Sequence, residues 1–88
     1  MEDKIKLSVV AADRAVLDKN VAYVNIPTDS GAVGIWADHA PLMCAVSEGR
    51  MKCHFSDGSE IFLQLGGGIA SAADNKVNIL VSRAEITE

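Results

Sequence analysis

"GRMKCHFSDGSEIFLQL", residues 49–65, holds two alternating stretches on either side of a glycine-bearing turn. Met51, Cys53 and Phe55 share one face, with Arg50, Lys52 and His54 on the other. Beyond the turn, Ile61, Leu63 and Leu65 alternate with Glu60, Phe62 and Gln64. A period of two is the mark of a half-buried strand. How the two stretches pair depends on the turn. A two-residue Asp57-Gly58 connection would set Cys53 against Phe62 and Phe55 against Glu60, mixing wet and apolar faces. A three-residue loop, Ser56-Asp57-Gly58, pairs Cys53 with Ile61, Met51 with Leu63 and His54 with Glu60. It keeps the faces consistent and puts Gly58 where such loops need a left-handed residue.

The same test extends outward along the chain. At "SAADNKVN", residues 71–78, a two-residue Asp74-Asn75 turn pairs Ala72 with Val77 and Ala70 with Ile79. Ile5, Leu7 and Val9 alternate with Lys4, Lys6 and Ser8, and Val77, Ile79 and Val81 close the series. "LDKNV", residues 17–21, reads as a third tight connection, with Asn20 accepting positive φ. Strand character runs to about Ser82, and no window sustains a helical period. The fold class is therefore all-β: a small β-sandwich of two packed antiparallel sheets, with roughly eight to ten short strands and no substantial helix. Residues 1–88 form a single domain, since domains usually run to about 50–250 residues.

Composition limits the function. Aliphatic residues must build the core, because Tyr23, Trp36, Phe55 and Phe62 are the only aromatics. The net charge is −4, with Lys and Arg scattered singly. No basic stripe serves nucleic acid. No apolar run approaches the roughly 20 residues of a membrane span, so direct membrane insertion is not expected. "MEDKIKLSVV" lacks the apolar core and cleavage site of a signal peptide. Cys44 and Cys53 then read as reduced thiols rather than a disulfide.

Chemistry is scarce. His39 is the best catalytic candidate, yet no nucleophile and orienting group are set to converge on it. It reads instead as bonding to backbone at the turn before Pro41. His54 faces solvent opposite Glu60. Cys44, Cys53, His39 and His54 lack the spacing of a zinc site, so no metal is expected. Gly66-Gly67-Gly68 has neither the following helix nor the lysine of a phosphate cradle. It reads as a bulge or a close backbone approach. No catalytic residue and no cofactor are expected.

"GAVGIWADHAPLMCAV", residues 31–46, carries a resemblance. The order Gly31-Ala32-Val33-Gly34-Ile35, His39-Ala40-Pro41-Leu42 and Gly49 resembles the epsilon subunit of rotary ATP synthases, called delta in mitochondria. Gly66-Gly67-Gly68, Asn75-Lys76-Val77-Asn78-Ile79-Leu80 and Ala84-Glu85 continue it, so it covers about Lys4 to Glu88. The resemblance implies a sandwich of two five-stranded sheets and a non-catalytic rotor role in the central stalk. In that family the domain grips the gamma shaft and sits on the polar loops of the c-ring, coupling proton flow to ATP synthesis. Carried onto this sequence, Ala11, His39 and Cys44 lie near gamma, and the loop Thr28, Asp29, Ser30, Gly31 and Ala32 faces the ring. The implied location is peripheral, at the cytoplasmic face of a bacterial energy-transducing membrane.

Two features depart from the family pattern. Many members carry an acidic residue where this chain has Ala32, a charge that Asp29 is placed to supply. Members usually continue into a C-terminal helical hairpin that restrains ATP hydrolysis and in some binds ATP. A sequence ending at Glu88 implies a short form without it, which neither restrains hydrolysis nor binds ATP; whether it is natural or trimmed stays open. The competing reading is a free-standing β-sandwich adaptor.

Overall fold

Alternation along the sequence becomes two stacked sheets in the computed structural model, which describes residues 2–12 and 14–87. The strands among them are β1 (Ile5–Ala11), β2 (Arg14–Val21), β3 (Tyr23–Thr28), β4 (Gly31–Trp36), β5 (Leu42–Val46), β6 (Gly49–His54), β7 (Glu60–Leu65), β8 (Gly68–Ala73), β9 (Lys76–Val81) and β10 (Ala84–Ile86). One sheet runs β2-β1-β9-β8-β5 and the other β10-β7-β6-β3-β4. The all-β sandwich expected from the alternation is what forms. No helix of the described residues is long and apolar enough to cross a membrane.

The deciding hairpin has the expected register. β6 pairs β7 with Met51 opposite Leu63, Cys53 opposite Ile61 and His54 opposite Glu60. Phe55 and Ser59 close a three-residue loop through the Phe55 N–H to Ser59 carbonyl bond of 2.9 Å, and Gly58 takes φ +93°. Asp57 accepts from the Ser59 backbone N–H (2.8 Å) and hydroxyl (2.6 Å), which holds its carboxyl below the ordinary carboxylate range. β8 and β9 meet as predicted around Asp74-Asn75, with Ala72 opposite Val77 and Ala70 opposite Ile79. Both turn residues have positive φ, 53° and 61°, as a type I′ turn requires.

Three expectations are corrected. Strand character continues past Ser82, because Ala84–Ile86 pair with β7 as β10. Leu17 to Asn20 lie inside β2, opposite Val9 to Lys6, and form no turn. The chain reverses earlier, at Ala12, whose φ is +55°. A register shift between Val9 and Val10 leaves Val16 bulged, just ahead of the stretch where the sequence suggested a turn. The sheets are also not wholly antiparallel: β1 and β9 run parallel. Strands joined by a crossover of most of the chain need not reverse, whereas hairpin partners must.

Both inner faces supply one aliphatic core. Ile5, Leu7, Val9, Val24, Ile26, Met51, Leu63, Leu65 and Ile79 are among its fully buried side chains, and no polar residue among the described residues is buried with them. Gly66 and Gly67 carry the chain from one sheet to the other between β7 and β8. At Gly68 the backbone of β9 comes so near that a Cβ would lie 2.7 Å from Val81 Cα. The glycine run is a close approach, followed by a strand.

Candidate interaction surface

Thr28 to Ala32 form the β3–β4 hairpin tip. Thr28 pairs with Gly31, leaving Asp29 and Ser30 as the turn. Thr28 Oγ1 donates to the Gly31 carbonyl (2.5 Å) and accepts from the Ser30 N–H (3.2 Å), so one hydroxyl ties both sides of the tip. Gly31 has φ +108°, a backbone state that side chains oppose. Asp29, Ser30, Gly31 and Ala32 are exposed and Thr28 is half-buried. All five residues expected to face a partner thus share one stiff projection.

Gly34 serves another fit. A Cβ there would sit 2.9 Å from Tyr23 Cε1, because the Tyr23 ring lies across β4. That ring stacks against Trp36 with centroids 4.2 Å apart and lies 5.1 Å from the His54 ring. His54 Nδ1 meets Glu60 Oε2 at 2.9 Å, the facing pair the hairpin register requires.

The three residues expected near a shaft are not brought onto one surface. His39 is exposed in the β4–β5 connection, its Nδ1 2.6 Å from the Ala40 carbonyl, so it bonds backbone before Pro41 as anticipated. Ala11 is 4% exposed and turns into the core. Cys44 is half-buried and packs against the core from β5. Strand alternation accounts for both: on β1 and β5 the outward positions are Val10, Met43 and Ala45.

Those outward neighbours belong to an apolar row that the sequence reading missed. Ala45 pairs with Ile69, Ile69 with Leu80, Leu80 with Val10 and Val10 with Ala15, crossing all five strands. Met43 (74% exposed), Ile69 (54%) and Leu80 (58%) stand in solvent. The signal was present: Val9-Val10-Ala11, Met43-Cys44-Ala45-Val46 and Ile79-Leu80-Val81 are apolar on both faces, as strands covered on both sides are. At the opposite end of this face Lys6 pairs with Lys76. The surface is apolar at one end and polar at the other, where Asp18 stands beside the two lysines.

Among the described residues no group of His, Cys, Asp and Glu is placed to hold a metal ion. Cys44 and Cys53 are free thiols. Burial pushes the Cys53 thiol up to about 12, which leaves it protonated and unreactive at neutral pH.

Comparison with known proteins places this fold. The family model described as "ATP synthase, Delta/Epsilon chain, beta-sandwich domain" matches residues 4–87. The ATP synthase epsilon chain of Lawsonia intracellularis is 33% identical over 85 residues, covering 97% of this chain and 63% of that one. This chain therefore spans a little under two thirds of that relative's length. A chain of the Euglena gracilis mitochondrial ATP synthase, solved by cryo-EM as OSCP/F1/c-ring, superposes with a TM-score of 0.90 at 24% identity. It covers 98% of this chain and 55% of that one. A chain of the Tetrahymena thermophila mitochondrial ATP synthase central stalk and c-ring gives 0.76 at 16% identity, covering 96% and 67%. With a family match spanning nearly every residue and the sandwich topology in agreement, this chain belongs to the delta/epsilon β-sandwich family of ATP synthases.

Proposed function

We propose that this domain is a non-catalytic rotor element of the central stalk of a rotary proton-translocating ATP synthase. It binds the gamma shaft and the c-ring and couples ion flow to ATP synthesis, working as a peripheral component at the cytoplasmic face of a bacterial membrane. The observation that carries the reading is the exposed apolar row Val10–Leu80–Ile69–Ala45 with Met43 beside it. A contiguous apolar face on a small domain marks a contact with another protein. The strands that carry Ala11 and Cys44 would meet the shaft through their outward neighbours, with His39 at the rim. The hairpin tip from Thr28 to Ala32 is the projection suited to the ring. The solved neighbours come from assemblies containing a c-ring, and one of them contains the central stalk, which agrees with these partners.

The test is reconstitution. The purified 88-residue chain is mixed with gamma alone and with a gamma–c-ring complex, and association is read by size-exclusion chromatography. The expected result is a stable complex with gamma through an interface of roughly 800 Å² per partner. The double variant I69D/L80K, which sets opposite charges across the paired strands, should keep the melting temperature of the parent and lose gamma affinity by more than about tenfold, as hot-spot losses do. Failure of the parent chain to associate with gamma would overturn the assignment.

A further inference from the structure

The outer face of the second sheet carries a groove that borders the ring-facing hairpin and shares Thr28, Gly31 and Ala32 with it. The β3–β6 ladder runs from Tyr23–His54 to Asn25–Lys52 and stops there. Pro27, two residues on, has no N–H with which to extend it. Along this break lies an open groove of about 470 Å³, walled by Pro27, Thr28 and Ala32 on one side and by Arg50, Lys52 and Phe62 on the other.

Its chemistry is one-sided. The Arg50 guanidinium carbon sits 4.0 Å from the Phe62 ring centroid and the Lys52 ammonium 5.6 Å from it. The aromatic face holds both cations in place. The ion pairs among the described residues, His54–Glu60 and Arg83–Glu48, leave both cations without a carboxylate. No acidic residue lines the groove. Asn25 does, and its Oδ1 is closed off from water and has no hydrogen-bond donor. A buried acceptor without a donor is costly, on the order of 1–3 kcal/mol, and the cost is relieved if the amide turns so that Oδ1 meets a donor in the groove. The Asn χ2 torsion is broad, so the amide can turn its oxygen toward the groove.

We propose that this groove is an anion site for a phosphate group that retains a P–OH. Arg50 offers a planar fork of N–H donors and Lys52 a point charge to the phosphate oxygens. Asn25 Oδ1 accepts from the P–OH. Hydrogen phosphate and a phosphomonoester headgroup share this chemistry. Sulfate matches its size and charge and, near neutral pH, has no proton to give. The site is independent of the apolar row, which lies on the outer face of the other sheet.

The experiment is an amide-resolved NMR titration of the 88-residue chain at constant ionic strength, with inorganic phosphate in one series and sulfate in another. Saturable shifts at Asn25, Arg50, Lys52 and Phe62 are expected, with sulfate weaker by about fivefold or more, the loss of one hydrogen bond. R50Q/K52Q should lose about tenfold or more of phosphate affinity, in keeping with two charge-assisted contacts. Should that double variant not fold, Lys52→Met alone serves. Asn25→Leu should bring phosphate down to the level of sulfate. Vesicles of phosphatidylcholine with and without phosphatidate separate the sources. Binding to phosphatidate that R50Q/K52Q abolishes supports the site with a lipid headgroup. Saturation by free phosphate without vesicle binding supports it with a soluble ligand. Equal responses to phosphate and sulfate, or unchanged phosphate affinity in R50Q/K52Q, would overturn the proposal.

Discussion

Asp38 and Asn75, 37 residues apart in sequence, each bond the other: the Asp38 N–H donates to Asn75 Oδ1 at 2.6 Å, and Asn75 Nδ2 donates to Asp38 Oδ1 at 3.2 Å. Both residues take positive φ, 64° and 61°. The pair clips the β4–β5 connection to the β8–β9 turn and so links the two sheets at one end of the sandwich.

Replacing Asn75 separates the two contributions. Asn75→Gly removes the side-chain bonds and keeps the backbone at ease, whereas Asn75→Ala removes the same bonds and keeps a Cβ in the left-handed region. The alanine variant should therefore be less stable than the glycine variant by about 1 kcal/mol. Urea unfolding monitored by Trp36 fluorescence measures it, with the midpoint falling and the slope unchanged.

Gly34 and Tyr23 predict a coupled pair. Gly34→Ala pushes a methyl into the Tyr23 ring and should cost about 1–3 kcal/mol. In the Tyr23→Ala background the same change meets open space. A double-mutant cycle should return an interaction energy of about 1 kcal/mol or more. Additive losses would mean that the ring shifts aside freely.

The hairpins at 54–60 and 70–79 were legible because three independent signals agree there: alternation, loop length, and a turn residue suited to positive φ. The first reversal was not. It uses Ala12, a residue with no turn signature, while Asn20, which has one, sits in β2 opposite Lys6. Local chemistry lost to the pairing of β1 with β2. β10 was missed for a related reason: Ala84-Glu85-Ile86 is too short to show a period, and only its register with Leu65, Gln64 and Leu63 makes it a strand. The parallel β1–β9 contact leaves no trace in either segment.

Interaction surfaces were less legible than the fold. Motif resemblance pointed to Ala11 and Cys44, and alternation turns both inward. The basic groove was hidden because Arg50, Lys52 and Phe62 read singly as ordinary outward residues. It takes the ladder's end at Asn25 to bring them around one space.

Cys44 is a test of that inward placement. Cys44→Asp should destabilise the free domain by about 1–3 kcal/mol, since its carboxylate must sit against the core. Met43→Asp, one residue away and outward, should leave stability within about 0.5 kcal/mol. Thermal melts of the two variants decide between the faces. Equal tolerance would place the inward face elsewhere.

Cys53 gives the stability a pH dependence. Its thiol titrates near 12 in the fold against an ordinary value of 9.0, because burial disfavours the thiolate. The unfolded chain therefore loses this proton first. The stabilisation is complete below pH 9 and is lost as pH rises from 9 to 12, by up to about 1.4 kcal/mol per pH unit. Cys53→Val should remove this share of the slope. At pH 8 a thiol reagent should modify the half-buried Cys44 and leave Cys53 untouched until the chain unfolds.

The hairpin tip separates shape from charge. Asp29 is exposed and makes none of the ion pairs found among the described residues. A rim charge of this kind is usually worth about 0–1 kcal/mol. The form of the tip rests instead on Thr28 Oγ1, which reaches both the Gly31 carbonyl and the Ser30 N–H, and on Gly31 at positive φ. Two residues inserted between Thr28 and Gly31 would break that span while leaving the core strands paired. Asp29→Asn should therefore change coupled proton pumping by less than about twofold, whereas the insertion should reduce it severalfold with the melting temperature almost unchanged. Both are measured in membrane vesicles reconstituted with the complex, by ATP-driven acidification against ATP hydrolysis. Equal coupling in the two variants would count against ring contact through this hairpin.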